Sequence, residues 1–259
     1  PWEKLLERPH ARGHMVQFCG ESDQSSLVAN VSTYLWEGLR RGESAVVVAT
    51  PEHCELFCRA LEKLDFNTQA AARSGRLVLL DALGTLSRCM VGGQPNWALF
   101  EDVIGTAMRR LWHEDEPAGL RAYGEMVGIL WKSGQFAAAI RLEQLWNRLL
   151  AQSSFSLYCS YSIDIFGKEF QPGYVDAIVC AHTHIVSSRP DRRLEIALHQ
   201  AMEETLGKAA EDVKARIENL RRHSWALMPN AENVVLGLRE CLPSQADAII
   251  ARARRHCLQ

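Results

Sequence analysis

The stretch "SAVVVAT", residues 44–50, decides the fold, because it is a short apolar run between two longer amphipathic stretches. A run of this length is typical of a strand buried on both faces of a parallel sheet. Similar runs occur at "HMVQFC" (14–19) and "RLVLLDA" (76–82), with helical patterns over 24–41 and 51–64 between them. This alternation of strand and helix predicts βαβ units.

The same alternation continues to about residue 160. "GLRAYG" (119–124) and "SFSLYCSY" (154–161) read as further strands. The intervening helices are predicted at 83–91, 95–113, 125–132 and 135–152. Because helices join these strands, the sequence predicts an α/β fold with a doubly wound, mainly parallel sheet and helices on both faces.

The composition changes at "SSRP" (187–190), after a helix predicted over 174–183. Beyond it the apolar spacing is helical throughout, over 191–222, 231–241 and 244–256. We therefore expect an N-terminal extension (1–13), an α/β domain (14–186) and a helical C-terminal region (187–259).

The overall composition argues against a nucleic-acid-binding protein and against a membrane protein. The chain has 259 residues, is 47% hydrophobic and carries a formal net charge of −2, so no excess of Lys and Arg offsets nucleic-acid phosphates. Its apolar runs are shorter than the roughly 20 residues of a membrane helix. The eight cysteines include no CxxC pair. We expect a cytoplasmic protein that binds neither nucleic acid directly nor a membrane.

The turn after the first strand, "CGESDQSS" (19–26), lies where phosphate chemistry occurs in such sheets. Gly20 fits a phosphate loop, but the Lys that such a loop requires is missing. Asp81, at the end of "RLVLLD", either holds a metal or caps the next helix. Efficient nucleotide hydrolysis is therefore not expected, and no residue is predicted to be catalytic.

Two glutamates lie at positions that the sequence predicts to be buried, where an unpaired carboxylate is costly. Glu125 follows Gly124 at the carboxyl end of a predicted strand, and Glu143 lies in an apolar helical stripe together with Asn147. Glu125 either caps the following helix or pairs with Arg121 or Lys132, and Glu143 pairs with Arg141, Arg148 or a backbone amide. Alternatively, both acids anchor a ligand. The predicted ligand-binding residues are His14, Gly20, Glu125, Trp131, Glu143, Trp146, Asn147 and Tyr161.

"CAHTH" (180–184) contains three residue types that bind metals, Cys180, His182 and His184. On a helix the two histidines point to different faces, so they share a metal only where the chain is extended. Histidines near helix ends are common without a metal. No metal is expected, and these three residues are weak candidates.

An ordered set of motifs resembles the MEDS family, the methanogen/methylotroph-type sensory domain. The motifs are "HMVQF" (14–18), "LWEGLRRGESAVVVATPEH" (35–53), "GRLVLLDA" (75–82), "YGEMVGILW" (123–131), "RLEQLWNRL" (141–149), "FSLYCSY" (155–161) and "CAHTH" (180–184). The resemblance implies a fold related to the RecA and circadian-clock ATPases with a degraded phosphate loop. It also places the family's recurrent polar positions at His14, Glu125, Glu143 and Asn147.

The resemblance further implies a bacterial or archaeal sensory role, in which small organic molecules are recognised and signalling or transcription is regulated. We expect a non-catalytic regulator that binds a small molecule or nucleotide at the carboxyl edge of the sheet. Its C-terminal helices are expected to contact a kinase, an anti-sigma factor, a transcription regulator or a second copy. The alternatives are a divergent nucleotide-dependent ATPase or phosphotransferase and a scaffold without a ligand.

Overall fold

A computed structural model describes residues 2–20, 23–111, 119–186, 192–220 and 228–258. Its main sheet has six strands, all parallel, in the order β3-β2-β6-β7-β1-β8. These strands are β1 (His14–Cys19), β2 (Ser44–Ala49), β3 (Leu77–Asp81), β6 (Leu120–Gly124), β7 (Ser156–Ser162) and β8 (His184–Val186). A separate antiparallel hairpin consists of β4 (Met90–Val91) and β5 (Gln94–Pro95).

Helices cover both faces of the sheet. The first core lies under α5 (Ala82–Cys89), α6 (Trp97–Phe100), α7 (Thr106–Leu111), α8 (Met126–Lys132), α9 (Phe136–Gln152) and α10 (Pro172–Ala181). The second core lies under α1 (Glu3–Glu7), α2 (Gln24–Leu39), α3 (Pro51–Glu62) and α4 (Thr68–Arg73). The predicted parallel α/β fold is thus confirmed.

Strand alternation separates the two cores. In β7, Leu157, Cys159 and Tyr161 face the first core, whereas Tyr158 faces the second. The same period of two holds along β1, where Val16 joins the first core. Even-numbered residues of β1 and odd-numbered residues of β7 therefore point to the first core, and this holds for polar side chains as well.

The C-terminal region is helical, as predicted, and comprises α11 (Arg192–Leu206), α12 (Ala210–Asn219), α13 (Asn230–Cys241) and α14 (Ala246–Leu258). Its buried apolar residues, including Leu198, Val213 and Val235, belong to the first core. The apolar stripe recognised in the sequence therefore packs within the chain. The proposed boundary at residue 187 lies outside the described residues, so the division into domains stays a prediction.

Several predicted helices differ from the structure. The helix expected over 83–91 ends at Cys89, because Met90–Val91 pair as β4, and the helical stretch over 191–222 is interrupted by a 3₁₀ turn at Gly207–Ala209. The helix expected over 95–113 is divided by a π-helical turn at Glu101–Gly105 between α6 and α7. The helix expected to reach 183 ends at Ala181, because the following residues extend and pair as β8 with β1. None of the described helices combines the length and apolar composition needed to cross a bilayer.

Candidate functional site

Four buried side chains from different elements meet beside the first core: His14 at the start of β1, Glu143 on α9, Cys159 in β7 and His182 directly after α10. One nitrogen, oxygen or sulfur atom from each lies within 4.8 Å of those of the others. We call these four residues the buried cluster. Residues far apart in the chain meet here because β1 and β7 are adjacent strands.

Glu143 is the centre of this cluster and is fully buried. The hydroxyl of Tyr161 donates a hydrogen bond of 2.6 Å to its Oε1 atom. His182 Nε2 lies 3.3 Å from the same oxygen. The other oxygen, Oε2, lies 3.3 Å from His14 Nε2 and 3.7 Å from Cys159 Sγ. One carboxylate thus faces two imidazoles, a phenol and a thiol.

The hydrogen bonds of the outer ring nitrogens orient both imidazoles. His182 Nδ1 donates to the Ile178 carbonyl at 2.6 Å. His14 Nδ1 lies 2.9 Å from Asn147 Oδ1, and the amide of Asn147 donates to the Ala181 carbonyl at 2.8 Å. Since the amide NH₂ is used there, Oδ1 accepts from His14. The Nε2 lone pair of each neutral ring therefore points into the cluster.

Burial and mutual charge shift the pKa values in this cluster. Burial, followed by the neighbouring imidazole of His182, lowers the pKa of His14. Burial alone raises the pKa of Glu143, but the neighbouring His182 and His14 outweigh it and hold this pKa below its usual range. Burial and then Glu143 raise the pKa values of Cys159 and Tyr161 well above normal. The carboxylate therefore stays ionised, Cys159 and Tyr161 keep their protons, and His14 favours its neutral form.

A second polar group lies at the carboxyl edge of the sheet and consists of Thr50, His53, Tyr123 and Glu125. The carboxylate of Glu125 accepts hydrogen bonds from the backbone amide of Thr50 and from Tyr123 at 3.4 Å. It lies 2.5 Å from His53 Nδ1. We call these four residues the edge group.

The imidazole of His53 is the part of the edge group that reaches solvent. Its side chain is 21% exposed, whereas that of Glu125 is 7% exposed. The hydrogen bond to Glu125 raises the pKa of His53, against a smaller lowering by burial. His53 Nε2 also lies 3.4 Å from the side-chain nitrogen of Gln24, at the start of α2. The edge group is therefore next to the turn that follows β1.

The two acids lie on opposite sides of the sheet. Glu125 contacts Tyr123, whose ring is in the second core, and His53 of α3. Glu143 contacts residues that face the first core. Between them, Gly124 is so close to Trp146 that an added Cβ would lie 3.4 Å from the indole ring. The structure therefore does not bring Glu125 and Glu143 into one pocket.

The eight predicted ligand-binding residues are divided among several places. His14, Glu143, Asn147 and Tyr161 come together in or against the buried cluster. Trp131 packs edge-on against Tyr161, with ring centroids 5.7 Å apart. Trp146 is fully buried against Phe100. Gly20 is exposed after β1, and Glu125 belongs to the edge group.

The three candidate metal ligands in "CAHTH" point to different places. Cys180 is exposed. His184 is stacked on His10 at 5.2 Å. Only His182 enters the buried cluster, because α10 ends at Ala181 and the chain then extends. The ligand-type cluster found among the described residues therefore differs from the one considered in the sequence.

Three arginines that were considered as partners of the two acids make other contacts in the described part of the chain. Arg121 is buried and binds Glu43 at 2.7 Å. Arg148 lies over the Trp97 ring, and Arg141 donates to Gln144. Asp81 accepts a hydrogen bond from the Gly84 amide at 2.7 Å and so caps α5, as one of its two interpretations predicted.

Sequence reasoning missed Cys159 as a member of the buried cluster, and it considered His53 as a residue that could face a pocket but not as the partner of Glu125. Cys159 lies two residues before Tyr161, so the strand period places both side chains on one face, and this signal was present in the sequence. His53 lies four residues after Ala49, the last residue of β2, in the first turn of α3. Its contact with Glu125 depends on the adjacency of β2 and β6, which the sequence does not display.

The fold and these groups define a parallel α/β protein with one solvent-accessible and one buried polar centre. The sequence model of the MEDS family, which is described as the methanogen/methylotroph, DcmR sensory domain, matches residues 14–183 of this chain. This match covers more than half of the 259 residues, and the chain belongs to that family. It is a sensory-domain protein. No curated protein matches the sequence.

Proposed function

We propose that this chain is a non-catalytic sensor that binds a small molecule at the edge group and transmits binding through its C-terminal helices. The observation that carries the proposal is the pairing of solvent-reaching His53 with buried Glu125 at the carboxyl edge of the parallel sheet. Ligands of open α/β sheets bind at this edge. The family's sensory character supports the same conclusion.

The chemistry of the edge group favours a ligand with a hydrogen-bonding or anionic head. Glu125 holds His53 Nδ1 and raises the pKa of that imidazole, which favours its cationic form. Nε2 and the amide of Gln24 then present polar atoms next to the turn at Gly20. A small organic molecule with one polar head suits this arrangement, and a nucleotide is the larger option.

The lack of a catalytic set favours sensing over turnover. The turn at 19–26 has no Lys to stabilise a transferring phosphoryl group. Asp81 uses one of its carboxylate oxygens to cap α5. A divergent ATPase or phosphotransferase would need both functions from other residues, and this makes it the second candidate.

The loop between β7 and α10 offers a route from the edge to the C-terminal helices. It follows the carboxyl end of β7, next to β6 in the sheet. Arg239 of α13 donates to the Gly167 carbonyl in this loop at 2.8 Å. Arg254 of α14 lies 3.3 Å from Asp164 of the same loop. A ligand that shifts this loop would thereby shift α13 and α14 and change how they contact a signalling protein or a second copy.

Calorimetric titration and thermal-shift measurements with ATP, ADP and a panel of small organic acids, alcohols and halogenated compounds test the binding step. We expect at least one compound to bind saturably and to raise the melting temperature. Glu125→Gln and His53→Gln should each weaken that binding at least tenfold. Glu55→Gln, an exposed position on the same helix as His53, should leave it unchanged.

Three results would count against the proposal. ATP turnover that is lost in Glu125→Gln would favour the ATPase. Binding that neither edge variant weakens would place the ligand elsewhere. No binding by any compound, together with constant hydrogen exchange in 192–220 and 228–258, would favour a scaffold.

A further inference from the structure

We propose that the buried cluster is a metal site that holds one divalent d-block ion of the zinc class. The ligands would be His14 Nε2, one carboxylate oxygen of Glu143, Cys159 Sγ and His182 Nε2. Imidazole, thiolate and carboxylate together are a donor set that suits Zn²⁺. This site is separate from the edge group, so the proposal does not depend on the sensing ligand.

The distances between the ligand atoms match a tetrahedral ion. Metal–ligand bonds of about 2.0–2.3 Å keep neighbouring ligand atoms about 3.3–3.8 Å apart. His14 Nε2 lies 3.3 Å from Glu143 Oε2 and 3.3 Å from Cys159 Sγ. Cys159 Sγ lies 3.7 Å from Glu143 Oε2. His182 Nε2 lies 3.3 Å from the other oxygen of the same carboxylate, Oε1. One ligand atom from each of the four residues lies within 4.8 Å of the others, so a single ion could lie between them.

The outer contacts of the histidines are those of metal ligands. A metal-bound histidine usually donates its other ring N–H to a carbonyl or carboxylate, which fixes the tautomer. His182 Nδ1 does so to the Ile178 carbonyl, and His14 Nδ1 does so to Asn147. Asn147 is in turn held by the Ala181 carbonyl. Both Nε2 lone pairs are thereby aimed at the same small volume.

Without a bound cation, the space between the four ligand atoms of the buried cluster contains little positive charge. His182 Nε2 is buried and makes no hydrogen bond, although it lies near Glu143. The described neighbours of the Glu143 carboxylate are two imidazoles, a phenol and a thiol, and none of these carries a fixed positive charge. A buried carboxylate with converging lone pairs is stabilised by a cation at their centre.

Four protein ligands leave no open position, so the ion would be structural. It would link the start of β1, the middle of β7, helix α9 and the segment after α10. Binding replaces the thiol proton of Cys159, which leaves to solvent, by a sulfur–metal bond. Because the ligands are buried, the ion would enter as the chain folds.

Metal analysis of the full chain tests this proposal. The protein is produced without a metal-binding tag in zinc-supplemented medium, and its mass is measured under native conditions. A second sample is unfolded with a chelator and refolded with Co²⁺. We expect one ion per chain in both samples. Thiolate coordination should add a sulfur-to-cobalt charge-transfer band, which a merely structural role of Cys159 would not produce.

Variants assign the ligands. Cys159→Ser should lose the charge-transfer band, and Asn147→Ala, which removes a positioning residue, should weaken metal binding about 10–100-fold. Cys89→Ser is the matched control, because Cys89 is also fully buried in the first core and is not in the cluster. It should keep the ion and the band.

Two outcomes would overturn the proposal. One is a wild-type chain that carries less than one ion after folding with zinc or cobalt. The other is a cobalt spectrum that is identical in wild type and Cys159→Ser. Glu125→Gln should keep the ion and the band, so a failure of the sensing proposal and a failure of this one give different results.

Discussion

The buried cluster and the edge group are built from similar side chains but behave differently. Each contains a glutamate next to an imidazole and within reach of a tyrosine hydroxyl. Glu143 is fully buried among side chains alone, whereas Glu125 also accepts a backbone hydrogen bond and has a histidine partner that reaches solvent. This difference in exposure favours the two proposed roles: exchange of a ligand at the edge group, and retention of an ion or a proton in the buried cluster.

The largest expected effect is on the buried side. Glu143→Ala removes the acceptor of Tyr161 and the partner of two buried histidines, so we expect it to lower the free energy of unfolding by about 3–5 kcal/mol. Urea denaturation followed by circular dichroism measures this change. Glu55→Ala, at an exposed position, should stay within about 0.5 kcal/mol of wild type. Equal effects of the two substitutions would mean that the cluster contributes nothing.

Gly128→Ala tests how closely α8, which follows Glu125 of the edge group, packs against β7, which carries Cys159 of the buried cluster. Gly128 lies on α8, the helix that begins after Glu125, and an added Cβ would be 2.7 Å from the Ser160 carbonyl of β7. We expect the resulting overpacking to cost about 1–3 kcal/mol. Gly173→Ala on α10 is the control, since no heavy atom lies within 4 Å of its added Cβ. A Gly128→Ala variant as stable as this control would show that α8 can move away from β7 freely.

Glu125→Ala should cost less than Glu143→Ala, because water can reach the edge group. The loss of the Thr50 amide bond and of the His53 contact should lower the free energy of unfolding by about 1–2 kcal/mol. The same urea series measures it. A cost as large as that of Glu143→Ala would remove the contrast between the two regions.

The smallest effect is the pH response, which should have opposite signs in the two regions. The pKa of His53 is raised, so its contribution to stability is fully present below pH 6.5 and is lost as the pH rises through its folded-state pKa. In the metal-free chain the pKa of His14 is lowered, so stability is full above pH 6.5 and falls as the pH drops below that value towards its folded-state pKa.

NMR titration of the two imidazoles measures these responses directly. We expect the His53 ring to titrate above pH 6.5 and the His14 ring below it. Glu125→Gln should move the His53 midpoint downwards and leave that of His14 in place. A parallel shift of both midpoints would show that the two regions are electrostatically coupled through the sheet.

The sequence predicted much of the fold because the signals are local. "SAVVVAT" forms β2 and "GLRAYG" forms β6. Both were predictable because an apolar run of strand length indicates by itself that the segment is buried in a sheet. β8 was missed because its three residues follow a helix directly, and pairing with β1 outweighs any local preference. The π-helical turn at Glu101–Gly105 has no sequence signature of the kind that periodicity provides.

By itself, the sequence determined a parallel α/β chain with helices on both faces, a first turn without the Lys of a phosphate loop and a set of polar residues in positions where burial is costly. These properties follow from composition and from periods of two and 3.6 residues, which each segment carries alone. Only the tertiary structure decided that Glu125 faces His53 while Glu143 meets His14, Cys159 and His182. These side-chain contacts depend on the strand order and on the sheet face to which each side chain points. Both are set by contacts between segments that are distant in the chain.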